Sequence, residues 1–181
     1  SSGAPGMAMI GPPRILFRNL VDEATLSASP SLVSTLPVGN LQNGLRTAVA
    51  RSTSLATQDI LGDWGGTETV NACIAWRHNW GPGSTWRLRL YSGANQTGTL
   101  VYDSDDIDAE PVTPLGELWW GYEPWGTGLI DDWGWWWSTL WFDAVEARSF
   151  KLTVDAPSNP YAYVELSRLI TAILARLPGS R

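Results

Sequence analysis

The stretch Thr85-Trp86-Arg87-Leu88-Arg89-Leu90-Tyr91-Ser92 alternates without a break. Trp86, Leu88 and Leu90 fall on one side, and Arg87, Arg89 and Tyr91 on the other. Period two over this length is the mark of a half-buried β-strand. Upstream, Gly81-Pro82-Gly83-Ser84 reads as a turn, and Thr69 to Arg77 carries Val70, Ala72, Ile74 and Trp76 on one face. Thr57 to Trp64 is a further strand, closed by Gly65-Gly66, a hairpin signal. Pro30 and Pro37 frame a loop, and Gly39 to Gly44 a turn. Ala24 to Ser29 alternates again, and Arg14 to Leu20 is a short apolar run suited to a first strand. Downstream, Gly93 to Gly98 turns into Thr99 to Ser104. Ser149 to Asp155 puts Phe150, Leu152 and Val154 on one face and Lys151 and Thr153 on the other. After the turn Ala156-Pro157-Ser158-Asn159-Pro160, Tyr161 to Leu166 forms the last secure strand. The stripe Trp86, Leu88, Leu90 is expected to pack against Ile74, Phe150 and Leu152, with Cys73 a buried small hydrophobe.

Short strands between turn signals, without a long amphipathic helix, define an all-β chain: an antiparallel β-sandwich of jelly-roll type. Its 181 residues suit one domain. Residues 1–13 read as a flexible leader, 14–171 as the sandwich and 172–181 as a C-terminal tail or short helix. Leu166, Leu169, Ile170, Ile173, Leu174 and Leu177 fit one helical stripe, with Arg176 and Pro178 as stop signals. A strand prolonged to about Thr171 fits the same residues.

The single cysteine and single histidine exclude a disulfide framework and a multi-histidine metal centre. No apolar run is long enough for a membrane span, so no membrane insertion is expected. Charge is unevenly placed. From Leu90 to Ala147 there is no Lys or Arg, and eleven acids lie between Asp103 and Glu146. An acidic half argues against nucleic acid as a partner, because phosphate contacts need a basic surface.

The segment 105–147 is a long insertion. Nearly forty residues separate Asp105 from Asp143, far beyond an ordinary connection. It holds Trp119, Trp120, Trp125, Trp133, Trp135, Trp136, Trp137 and Trp141, eight of twelve tryptophans. These rings fit three roles: a satellite core, a protein–protein anchor, or a platform for pyranose faces. In the last, Glu117, Glu123, Asp131 and Asp132 accept sugar hydroxyls. The same carboxylates match a glycosidase pair in type, but a Gly-rich loop is a poor scaffold for catalysis, and no activity is expected. Asp103, Asp105, Asp106 and Asp108 make an acidic turn. They are candidates for Ca²⁺, but lack the central Gly and distal Glu of a calcium loop. Otherwise no cofactor is expected. His78-Asn79 reads as a hydrogen-bonded strand end.

Several motifs together resemble galactose-binding-like (discoidin-type) β-sandwich domains. Asn19-Leu20 and Leu36-Pro37-Val38-Gly39-Asn40-Leu41 resemble their opening. Val70-Asn71-Ala72-Cys73-Ile74-Ala75-Trp76 with His78-Asn79, then Trp86 to Tyr91 with Val101-Tyr102-Asp103-Ser104, resemble their central strands. Ser149 to Asp155, Asn159-Pro160 and Tyr163 to Leu169 resemble their close. The version with a Trp-rich insertion is similar to structural proteins of tailed bacteriophages and prophages. The resemblance implies a non-enzymatic virion protein of the tail or tail tip, made in the bacterial host cytoplasm. Its Trp-rich arm would dock on other virion proteins or a further copy of itself. The alternative is a carbohydrate-binding module that recognises a host surface glycan.

Overall fold

The computed structural model describes residues 14–16, 18–45, 47–81, 83–109 and 136–176. Its frame is two long antiparallel strands, Gln58–His78 (β4) and Trp136–Asp155 (β8), counted in chain order after Arg14–Leu16 (β1), Thr25–Ser29 (β2) and Ala50–Arg51 (β3). Thr85–Tyr91 (β5), Leu100–Asp103 (β6) and Ile107–Asp108 (β7) follow β4, and Glu165–Ala172 (β9) and Leu174–Arg176 (β10) follow β8.

The β4/β8 ribbon folds over on itself. Asp63 pairs with Ser149 and Glu68 with Ala147, so Trp64-Gly65-Gly66-Thr67 bulges opposite Arg148 alone. Gly65 takes φ +77°, a conformation that needs glycine, and its N–H donates to Asp63 Oδ1 at 2.8 Å. On one side of the bend, β2, β4, β8 and β5 form a layer, with β6 and β7 on the outer edge of β5. On the other side, β3, β9, β4 and β8 form a smaller layer. Both layers supply one core: Ile60, Leu88, Leu90, Phe150 and Leu152 from the first, Val70, Cys73, Ala75 and Leu169 from the second. This is the expected antiparallel β-sandwich. Among the described residues, no helix is long and apolar enough to cross a membrane.

Three expectations are corrected. Gly65-Gly66 does not turn a hairpin. The partner strand β8 runs past both glycines, so the pair serves as a bulge inside one strand. Ile74 does not join the inward stripe. The register slips between Val70 and Ala72, which turns Cys73 and Ala75 inward and Ile74 out. The C-terminal helix is replaced by β10, whose Leu174–Arg176 backbone pairs with Arg14–Leu16. β9 itself extends to Ala172. The Trp86, Leu88, Leu90 stripe does face inward, with Leu88 opposite Leu152 and Leu90 opposite Phe150.

The polar residues of the family-like motifs are braces. Asn19 Oδ1 accepts from Val21 N at 3.2 Å, capping the 3₁₀ turn Leu20–Glu23, and from Thr171 N at 3.1 Å. Its Nδ2 donates to Leu169 O at 3.0 Å. One side chain thus stands in for a neighbouring strand along β9. Gln42 Nε2 donates to Val21 O and Ala24 O, and Asn40 Nδ2 to Val49 O. Asn19→Ala is expected to cost about 1–3 kcal/mol by leaving backbone groups unpaired. It should lower the urea midpoint without changing the slope of the transition; an unmoved midpoint would show that water replaces the amide.

Candidate functional site

The two layers present opposite outer surfaces. On the larger one, Arg87 forks onto Asp103 with two 2.7 Å bonds, Lys151 meets Asp59 at 2.7 Å, and Arg89 donates to Thr153 Oγ1 at 2.8 Å. This is a closed ladder of charge. Asp105 and Asp106 lie 3.6 and 3.7 Å from the Arg87 guanidinium, and Asp108 ends β7. Hydrogen bonding from Arg87 holds the Asp103 carboxyl below its ordinary range and raises the guanidinium. The acidic turn is therefore arranged about a cation the chain supplies itself. Among the described residues, no group of three or more His, Cys, Asp or Glu could hold a metal ion.

The smaller layer has an aromatic outer surface, produced by the slip at Asn71. Beyond it, Ile74 and Trp76 point out. Trp76 pairs across to Trp137 on β8 and Arg168 on β9; Ile74 pairs with Thr139 and Ile170; Ala72 pairs with Trp141 and Ala172. The Trp76 and Trp137 rings lie 6.0 Å apart with planes inclined by 16°. Trp137 is 60% exposed, and Trp76 and Trp141 are each 43% exposed. Beside Trp76 opens a groove of about 280 Å³ lined by Asn43, Gly44, Leu45, Ser167, Arg168 and Ile170. Arg168 is held in place: Nη2 donates to Asp22 Oδ2 at 2.6 Å and Nη1 to Leu41 O at 3.4 Å. The arrangement combines flat apolar ring faces with a few anchored polar groups, as small-ligand sites do.

A second register slip, at Arg77 with φ 54°, turns His78 inward. Its ring stacks on Trp80 at 4.0 Å. Trp80 N donates to His78 Nδ1 at 3.3 Å, so the proton sits on Nε2 and points to Ser138 Oγ at 2.9 Å. The Ser138 hydroxyl in turn donates to Ala109 O at 2.7 Å. Burial pushes the imidazole down to about 3. A histidine beside a serine is the outline of a base and nucleophile. Here the serine proton is committed to a carbonyl, the histidine nitrogen is a donor, and both residues are buried. The chain of bonds ties Ala109 to Ser138 across the Trp-rich insertion, which is a structural role.

Of the residues expected to form the site, Trp137 and Trp141 lie on the aromatic surface, and Trp136 opens β8. Trp119, Trp120, Trp125, Trp133, Trp135, Glu117, Glu123, Asp131 and Asp132 lie outside the described residues. The sequence reading missed Trp76, Thr139 and the Arg168 groove. Trp76 looks like a core residue unless the slip at Asn71 is known.

No protein-family model and no curated protein sequence matches the chain. Solved structures do. Chitosan-binding module 1 of a chitosanase/glucanase from Paenibacillus sp. IK-5 superposes with TM-score 0.60 at 16% identity, over 87% of this chain and 100% of that one. The family 32 carbohydrate-binding module of C. perfringens NanJ, in complex with galactose, gives 0.56 at 15%, over 84% and 96%. A fucose-binding module of Streptococcus pneumoniae gives 0.57 at 9%, over 87% and 98%. The chain is similar in fold to these galactose-binding-like sandwiches.

Proposed function

We propose that this domain is a non-catalytic carbohydrate-binding module whose sugar site is the outer surface of the smaller layer. The observation that carries it is the exposed, near-parallel Trp76–Trp137 pair beside the Arg168 groove. An indole face packs on the axial C–H groups of a pyranose, and the hydroxyls around the ring rim need donors and acceptors such as Asn43 and Thr139. The three solved neighbours are a chitosan-binding module, a fucose-binding module and a module in complex with galactose, and this supports the reading. The proposal calls for no metal ion.

The virion reading, with a Trp-rich arm docked on tail neighbours, rests on the sequence resemblance and on residues outside those described. The neighbours favour the glycan reading, which reverses the order in which the two stood from sequence.

The test is a panel of immobilised glycans, followed by titration calorimetry with the hits. Trp137→Ala and Trp76→Ala should each weaken binding about tenfold or more, the effect of losing an interface aromatic, without moving the melting midpoint. Binding that survives both substitutions would place the sugar elsewhere. A panel without a hit would remove the proposal.

A further inference from the structure

We infer that the ligand is an extended, uncharged sugar chain that runs along β8 from the Trp76–Trp137 pair over Thr139 to Trp141, rather than a single terminal sugar. This rests on the glycan reading above and adds the class of ligand. Trp137, Thr139 and Trp141 project from one face of one strand, with Ser138 and Leu140 turned inward between them. Four residues at ~3.3 Å each separate the two tryptophans by about 13 Å. That distance is too long for one pyranose to bridge and suits a ring over each tryptophan with more than one linkage between. Between them, among the described residues, Thr139 stands beside Ile74 and Ile170, small and aliphatic side chains rather than rings.

Charge selects the chemistry of the chain. The three rows built on Trp76, Ile74 and Ala72 contain one ionisable residue, Arg168, and it is already paired with Asp22. Within these rows a polyanionic glycan would find no unsatisfied cation and a polycationic one no carboxylate, so the described part of the track is complementary to a neutral chain.

The experiment uses the full chain with cello-, xylo-, manno- and N-acetylchito-oligosaccharides of one to six units, titrated by calorimetry, with sedimentation of the unliganded protein alongside. Affinity should rise at least tenfold from the monosaccharide to the longer members of one series. Trp141→Ala should abolish that rise and leave monosaccharide binding unchanged. Thr139→Arg, a substitution at an exposed strand position, should also abolish that rise by placing bulk and charge midway along the track. If a monosaccharide binds as tightly as a hexasaccharide and Trp141→Ala changes neither, the extended track is wrong and the sugar site remains. If no sugar of any length binds, the glycan reading fails and the track with it. A dimer that Trp137→Ala dissociates would overturn the inference by making the surface a protein interface.

Discussion

Phe150→Ala should destabilise the protein by about 3–5 kcal/mol, the range for emptying a buried aromatic site. Phe150 is fully buried and stands opposite Gly62 on β4. Its ring lies over that glycine: a Cβ built on Gly62 would fall 2.1 Å from Phe150 Cε1. Trp64 closes the other side, 5.4 Å away. The ring therefore fills the space that the missing side chain leaves, and each residue explains the other. Gly62→Ala should cost about 1–3 kcal/mol, because an added methyl meets a ring the core does not let move. The two effects should not add. With the ring gone, the new methyl occupies part of the cavity, and the double variant Gly62→Ala/Phe150→Ala should be more stable than the sum of its parts. Urea denaturation of the four proteins checks this, and strict additivity would show that the ring and the glycine are not in contact.

The second large effect is on acid stability. The unfolded His78 imidazole titrates near its ordinary 6.5, whereas burial keeps the folded one neutral down to about 3. Between these values the unfolded chain binds a proton that the folded chain refuses. Stability is therefore complete above pH 6.5 and falls as pH falls, by about 1.4 kcal/mol per unit. At pH 4.5 the loss is roughly 2–3 kcal/mol. Carboxylates held down by partners, such as Asp103 and Asp63, act in the same direction but at lower pH. His78→Gln separates the two. An amide can still accept from Trp80 N and donate to Ser138, but it does not titrate. The variant should lose the slope between pH 6.5 and 4.5 and keep the slope below. An unchanged slope in the variant would assign the acid sensitivity to other groups.

What could be read from the sequence was what its alternation carries unbroken. Trp86, Leu88 and Leu90, and Phe150, Leu152 and Val154, sit in regular strands and face the core as their pattern says. Cys73 is buried as expected, but through the slip that turns Ile74 out, not through an unbroken pattern. The pattern fails where a strand slips. Nothing in Val70-Asn71-Ala72 announces that Ile74 and Trp76 change sides, because a bulge is fixed by the partner strand, which lies some seventy residues away. A Gly-Gly pair serves a tight turn and a bulge equally well, so Gly65-Gly66 pointed to a hairpin. The apolar residues from Leu166 onward fit both periods, and the pairing with Arg14–Leu16 chooses the strand. The site divides along the same line. Trp137 and Trp141 stood out by composition. Trp76 and the groove under Arg168 depend on slips and on a distant loop, and no local signal marks them.

β4 and β8 each pass through both layers, so neither sheet has a scaffold of its own. Unzipping the aromatic layer removes the central pair of the charged one, and the fold comes apart as one cooperative unit. A ligand bound at Trp137 and Trp141 would therefore also stabilise the pairing of Ile60 with Leu152 on the opposite side of the bend, and should raise the melting midpoint of the whole sandwich.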